Sequence, residues 1–361
     1  MIDHVRELEG FALERLPSLQ LADGVFCEEV VAGEPRPRGR SLRYTLVVLI
    51  GLLRAEEHGL DHGFHLGALR SKVLDEIGSK ELSPGDLGLA LWAESRADGR
   101  AAAELVSALK RKLPRSERLD AVASIGVAWI LMGLVEAGVR GELGEGGAVL
   151  ESARGQLLDK RRARSGLVTH VARGPRRRLA HFDDQIHTLL ALSQLARVMD
   201  DGDAAEAART LGDRLLELQM PNGAWPWSCD PVRGVVVDPY DVYSVHQDSL
   251  AMIGMHGLSQ TTGDPRYRAA AVRGMAWSFG GNELGVQMLD PDARMIYRSI
   301  RRRSQRARRA RTAAATYLRS GPRPASPDEL EVDRSMRSFH LGWILEAWAG
   351  REELAAEAAE A

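Results

Sequence analysis

From residue 41 to residue 350 the apolar residues recur at intervals of three and four, the spacing that keeps one face of an α-helix dry. The alternation at two that marks a strand is almost absent. The pattern predicts about twelve helices, near residues 41–57, 67–79, 85–97, 101–113, 118–138, 147–162, 183–200, 203–219, 245–262, 265–279, 300–319 and 335–349. A short amphipathic helix over residues 3–15 and a Gly/Pro/Arg-rich stretch, residues 33–39, come before them.

The helices fall into two alternating kinds. One kind is apolar all round and rich in small residues, as in Tyr44–Gly51, Ser124–Trp129 and His340–Trp343. The other carries one charged face, as in Ala102–Lys112 and Ala204–Gln219. Helices dry on every side are buried, and one-faced helices lie at the surface. Their alternation, with a repeat of about 50 residues, predicts an all-α ring of helical hairpins, an (α/α)6 toroid. Residues 41–350 would form the ring, residues 1–40 would pack on its flank, and residues 351–361 would be a tail.

The apolar helices open on polar or aromatic groups: Arg43 and Tyr44; Asp86; Ser124; Asp183, Asp184 and Gln185; His246, Gln247 and Asp248; Arg337 and His340. Parallel inner helices would bring these starts to one mouth. An N-cap role already accounts for residues such as Asp86 and Ser124. It accounts less well for His246 and Gln247, which are poor caps.

Two segments carry the candidate chemistry. The first, Gln219-Met-Pro221-Asn222-Gly223-Ala-Trp225-Pro, ends a helix in a turn, because Pro221 cannot continue it and Asn222-Gly223 supply turn geometry. This turn resembles one in toroidal pectate lyases and, more loosely, the repeats of squalene–hopene-type terpene cyclases. The resemblance covers about eight residues and implies that Gln219 and Trp225 tie one hairpin to the next. Trp227 lies past the turn and is expected to offer an aromatic wall. The second segment runs from Asp238 to Ser249. Its Tyr240-Asp241-Val-Tyr243-Ser-Val-His246-Gln247 is similar to a run in an uncharacterised bacterial family associated with polysaccharide loci.

In that segment His246 beside carboxylates can move protons near neutral pH, with Tyr243 and Asp248 assisting. Tyr240, Asp241 and Gln247 would line the substrate edge. Of the adjacent pair Asp183-Asp184 only one can face a cavity, since neighbours on a helix diverge by about 100°; Asp184 is the one expected there, with Gln185 beside it. A glycosidase needs two carboxylates about 5–10 Å apart, and Asp184 with Asp238, Asp241 or Asp248 could supply them. Asn282 and Glu283 could bind hydroxyls. Arg298 or Arg301 could hold a carboxylate. Arg43, Tyr44 and His340 complete the expected substrate-binding set.

Composition narrows the field. Hydrophobic residues make up 44% of the 361, enough for a large core, and the net charge of −2 speaks against a dedicated nucleic-acid binder. The basic runs near Arg173–Arg178 and Arg301–Arg311 read as solvated faces. Two cysteines, Cys27 and Cys229, make no disulfide scaffold, and the N-terminus lacks a signal-peptide pattern. A cytoplasmic protein without a membrane span is expected. There is no Walker loop, dinucleotide fingerprint or zinc motif, so no cofactor or metal is expected. Protein prenyltransferases share the toroid and bind zinc, but the spacing of Cys229, Asp230 and His246 is not theirs.

The first reading is therefore a carbohydrate-active enzyme on a poly- or oligosaccharide, with uronate among the sugars considered, acting by hydrolysis or β-elimination. Isoprenoid cyclisation or prenyl transfer is the second, and an aromatic content of 5% counts against it. A non-catalytic glycan-binding or exopolysaccharide-assembly protein is the third.

Overall fold

The computed structural model describes residues 1–34, 36–79, 82–113, 115–304, 325–351 and 353–354. Six helices form the inner ring: α2 (Leu42–Glu57), α4 (Pro84–Ala97), α6 (Ser124–Val139), α8 (Phe182–Met199), α10 (Ala251–Thr262) and α12 (Ser338–Trp348). Each packs on the next, and α12 returns to α2, so the ring closes. The outer helices α3 (Leu66–Ser79), α5 (Ala102–Lys112), α7 (Gly147–Gly155), α9 (Gly202–Leu218) and α11 (Arg266–Met275) each lie against the inner helix before them. The sixth outer place belongs to α1 (Ile2–Arg15), which packs on α12. First and last helices thus make one hairpin in space.

Burial explains the two kinds of helix. In α6 an unbroken run from Gly126 to Val135 is buried, because the helix has neighbours on every side. In α9 only Ala204, Ala207, Ala208, Leu211, Gly212 and Leu215 are buried, a single stripe turned inward. Glycines let inner helices approach backbone to backbone. A Cβ on Gly51 of α2 would press into the Gly342 carbonyl of α12, inside van der Waals contact.

The expected helix over residues 300–319 is corrected at its start. Ser299–Arg302 is strand β8, paired between β5 (Val242–Tyr243) and β9 (Leu330–Asp333). The remainder, residues 305–319, lies outside the described residues, as does most of the 351–361 tail. The helices expected from residues 118 and 335 start later. A 3-10 turn, Ser116–Ala121, precedes α6, and strand β10 (Ser335–Met336) precedes α12. A second three-stranded sheet joins β2 (Ala180–His181), β3 (Ser228–Asp230) and β4 (Val235–Asp238), and two-stranded ladders pair β1 (Val30–Val31) with β10 and β6 (Leu289–Asp290) with β7 (Met295–Ile296). Strands β2, β5 and β10 run almost directly into inner helices, so these small sheets frame the N-terminal end of the ring. No described helix is long and apolar enough to cross a membrane.

Candidate active site at the N-terminal mouth

A cavity of about 310 Å³ opens where the inner helices begin. Arg43 and Tyr44 enter it from α2, Trp129 from α6, Asp183 and His187 from α8, and His340 and Trp343 from α12. His246 enters from a π-helical turn, His246–Leu250, that leads into α10. Trp227, Tyr243 and Arg298 come from the framing segments. Of the residues singled out from sequence, the structure thus brings Arg43, Tyr44, Trp227, Tyr243, His246, Arg298 and His340 to one wall-to-wall site.

Three histidines stand on three consecutive staves. On α8, His187 lies edge-on to Trp129 and Trp343, both at 5.6 Å between ring centroids. Its Nδ1 lies 2.9 Å from the Asp183 carbonyl, which can only accept, so Nδ1 carries the proton. Its Nε2 is buried without a partner. Burial pulls its pKa down to about 4. His246 is packed among Phe182, Trp227 and Tyr243. Burial, and then the nearby His187, His340 and His181, push its pKa well below the usual histidine value.

His340 differs from these two. Its Nε2 lies 2.8 Å from Oδ1 of Asp248, which is fully buried. Asp248 also accepts from the Ser249 hydroxyl at 2.6 Å and the Ser278 hydroxyl at 3.1 Å, and its carbonyl accepts from Trp348 Nε1 at 2.6 Å. A carboxylate can only accept, so His340 donates Nε2–H to it and Nδ1 is left as the lone-pair nitrogen. Asp248 itself does not line the cavity; it positions His340.

The carboxylate that faces the cavity is Asp183 rather than Asp184. Asp184 points the other way, where its Oδ2 accepts from His170 Nδ1 at 2.8 Å and from the His181 backbone N–H at 3.2 Å. It caps its own helix. Asp183 is only part-buried, yet desolvation and then the neighbouring Asp184 charge raise its pKa to about 7. Asp183 and His187 are four residues apart and so share a helix face. That spacing was the signal for both.

Other expected site residues are structural here. Gln185 bonds both backbone groups of Val168, accepting at 2.8 Å and donating at 2.7 Å. Gln247 does the same to Trp225, accepting at 2.8 Å and donating at 3.5 Å. Both glutamines strap the preceding loop to the start of an inner helix. Asn282 closes its own loop on Trp277 and Val286, and Glu283 accepts from Trp277 Nε1 at 3.0 Å. Tyr240 is buried, bonded to Glu283 and covered by Arg302. Asp241 accepts from the Tyr243 hydroxyl at 3.2 Å, which holds that ring at the cavity edge. Arg301 is engaged by Glu331 and Asp333. Gln219 donates to Gly223 O at 2.7 Å and to Ala270 O at 2.8 Å, tying its hairpin to the next.

Two arginines are presented differently. Arg43 makes a two-pronged pair with Asp86, at 2.6 and 3.1 Å, and lies over Trp129. Arg298 sits 5.2 Å over the Tyr243 ring with its nearest carboxylate, Asp333, 4.0 Å away. Two imidazoles, His181 and His246, stack on Trp227, so part of that indole face is already covered. Among the described residues no group of three His, Cys, Asp or Glu side chains is arranged to hold a metal ion.

No protein-family model and no curated protein matches the chain. Solved structures do. A cellobiose 2-epimerase from Bacillus thermoamylovorans superposes with a TM-score of 0.69 at 10% identity, over 97% of this chain and 100% of that one. An unsaturated glucuronyl hydrolase specific for heparin gives 0.66 at 14% identity, over 100% and 99%. A sugar epimerase from a ruminal bacterium gives 0.64 at 12% identity, over 97% and 99%. At such identities the likeness is one of fold, and it spans whole chains: this protein is an α/α toroid.

Proposed function

We propose that this protein is a carbohydrate-acting enzyme that moves a proton at the carbon beside a sugar carbonyl, interconverting epimers or an aldose and a ketose. The observation that carries this reading is the His340–Asp248 pair set in a cavity whose other histidines are held neutral. His340 Nδ1 takes the proton from carbon, and Asp248 stabilises the imidazolium that forms, as the carboxylate of a catalytic triad does. The electrons move into the carbonyl, giving an enediolate. Arg43 and Arg298 offer N–H groups to its oxygen or to a substrate carboxylate. A proton returned to the same carbon from the opposite face gives the epimer, one delivered instead to the former carbonyl carbon gives the ketose, and His246 and Tyr243 would relay the proton.

The cavity suits a mono- or disaccharide, lying at the low end of ligand sites, about 300–1,000 Å³. Its mixture of aromatic faces with arginines and histidines fits a polar ring better than a hydrocarbon chain. Hydrolysis by two facing carboxylates lacks a second partner, since Asp183 is the one carboxylate lining the cavity among the described residues. Asp183 does support a second reading. A carboxyl with a pKa near 7 can serve as an acid in hydrolysis of an unsaturated uronide. The similar structures are named as sugar epimerases and an unsaturated glucuronyl hydrolase, which supports a sugar substrate.

The test is to incubate the protein with a panel of aldoses, cellobiose and unsaturated uronyl disaccharides. New epimers or ketoses by chromatography, lost in His340→Ala, support proton transfer. Loss of the unsaturated uronyl absorbance without any epimer, and abolished by Asp183→Asn, would overturn it in favour of hydrolysis.

A further inference from the structure

The opposite end of the ring, where the inner helices finish, encloses a second cavity of about 280 Å³. Five arginines reach it from five staves: Arg54, Arg96, Arg140, Arg197 and Arg351. Three glutamates share it, and two of them are engaged by one arginine. Arg96 pairs with Glu346 at 2.5 Å and with Glu57 at 2.9 Å. The third, Glu136, accepts from Gln194, and desolvation raises its pKa, which favours its neutral form. Arg54 is 3.9 Å from Glu57, which Arg96 already holds, and among the described residues Arg351 feels Glu346 only at longer range than an ion pair. The cavity therefore holds a surplus of positive charge.

Helix ends explain part of that surplus. Arg351 Nη1 donates to the carbonyls of Glu346 and Ala347, and Arg54 Nε donates to that of Ala349. These contacts use one nitrogen of each guanidinium, and each guanidinium carries five N–H groups. Burial lowers the pKa of Arg351 to about 10 against the attraction of Glu346, and Arg54, Arg96 and Arg197 add to the lowering. A second observation is independent of the arginines' own contacts. His256 on α10 is buried, lines the same cavity, and its Nδ1 has no partner. Desolvation and the surrounding Arg351, Arg268, Arg197 and Arg54 hold its pKa down, to about 4. No hydrogen bond fixes the tautomer of this neutral ring, so it can carry its proton on Nδ1 and donate to an acceptor.

We propose that this basal cavity is a binding site for a small oxyanion, either free phosphate or the phosphate of a phosphorylated metabolite. Arg54 and Arg351 would supply charge-assisted hydrogen bonds and His256 a neutral one. The site is separate from the N-terminal mouth and does not depend on the reaction assigned there.

The experiment titrates inorganic phosphate, and glucose 6-phosphate in parallel, into the full chain at fixed ionic strength set with chloride. Thermal unfolding and calorimetry report binding. Saturable stabilisation is expected, weakened about tenfold by Arg54→Gln or Arg351→Gln and unchanged by Arg43→Gln at the other mouth. For glucose 6-phosphate only the binding lost in Arg54→Gln is counted, since its sugar can also enter the mouth, and the tighter of the two ligands by that measure tells whether the phosphate is free or carried. Should either variant fail to fold, wild-type crystals soaked in tungstate give the answer directly, with the anion expected between Arg54 and Arg351. No effect beyond that of chloride, loss of binding in Arg43→Gln alone, or tungstate found elsewhere would overturn the proposal.

Discussion

Asp248 is the most informative residue to change, because its two oxygens do different work. Oδ1 accepts from His340 and Ser249, whereas Oδ2 accepts from Ser278, a hydroxyl that can equally accept. In Asp248→Asn the amide oxygen can therefore stay at Oδ1 and the NH₂ can donate to Ser278. The geometry and the His340 tautomer are kept and only the negative charge is lost. A hydrogen bond to a charged group exceeds a neutral one by about 1–2 kcal/mol, and in a buried site this falls on the imidazolium of the transition state. A loss of about 10- to 30-fold in kcat is expected, with KM little changed. Asp248→Ala also frees the tautomer, and its loss should reach about 10³-fold or more. It further leaves three buried donors without an acceptor, costing about 3 kcal/mol or more of stability. Proton-transfer rates, urea unfolding and imidazole ¹⁵N shifts separate these effects. The ¹⁵N spectrum should show Nε2–H at His340 in the wild type and in Asp248→Asn. A variant Asp248→Asn with kcat within threefold of wild type, or a rate loss carried wholly by KM, would refute the reasoning.

Three further outcomes are expected. Gly51→Ala forces a Cβ into the Gly342 carbonyl and should cost about 1–3 kcal/mol or more in urea unfolding by parting α2 from α12; a neutral result would mean that the ring relaxes freely. Gln219→Ala removes its bond to Gly223 in the following turn and the two, to Ala270 and from Arg273, that reach the next hairpin, and a loss of about 1–3 kcal/mol is expected in the same assay. Asp183 has its folded pKa raised, from the ordinary carboxylate range to about 7, so its contribution to stability is fully present below about pH 4 and is lost as the pH rises through 7. Asp183→Asn should flatten the stability profile between those limits and gain roughly 1–3 kcal/mol over wild type at pH 8. A parallel pair of profiles would show that Asp183 titrates normally.

Much of the ring was legible because its helices are of two physical kinds. A helix with neighbours all round, such as α6, must be apolar all round, and a helix on the outside, such as α9, needs only one dry stripe. What periodicity cannot show is which distant segment a helix meets. The place of α1 beside α12 rests on contacts between the two ends of the chain. Strand β8 is a case of long-range pairing overriding local propensity. Its arginines suit a helix, but Arg301 faces Glu331 across the ladder and bonds it at 2.9 Å.

At the site, the helix starts did converge, as polar groups at the N-termini of parallel staves must. The resolution needed to sort them was finer. Asp183 was separable from Asp184 by the four-residue step to His187, and the step from Asp184 leads instead to Thr188. Gln185 and Gln247 sit beside cavity residues in sequence yet turn outward, because loop backbone at Val168 and Trp225 needs partners there. The His340–Asp248 pair joins residues 92 positions apart and no local pattern announces it.

The most direct measurement is solvent-deuterium wash-in. The protein is incubated in D₂O with a reducing aldose or disaccharide that it turns over, and the hydrogens at C1 and C2 are followed by NMR. Deuterium is expected at C2 of the epimer, or at C1 where a ketose forms, and His340→Ala should abolish the incorporation while the fold survives. Product, epimer or ketose, that carries no deuterium on carbon, or exchange that persists in His340→Ala, would contradict it.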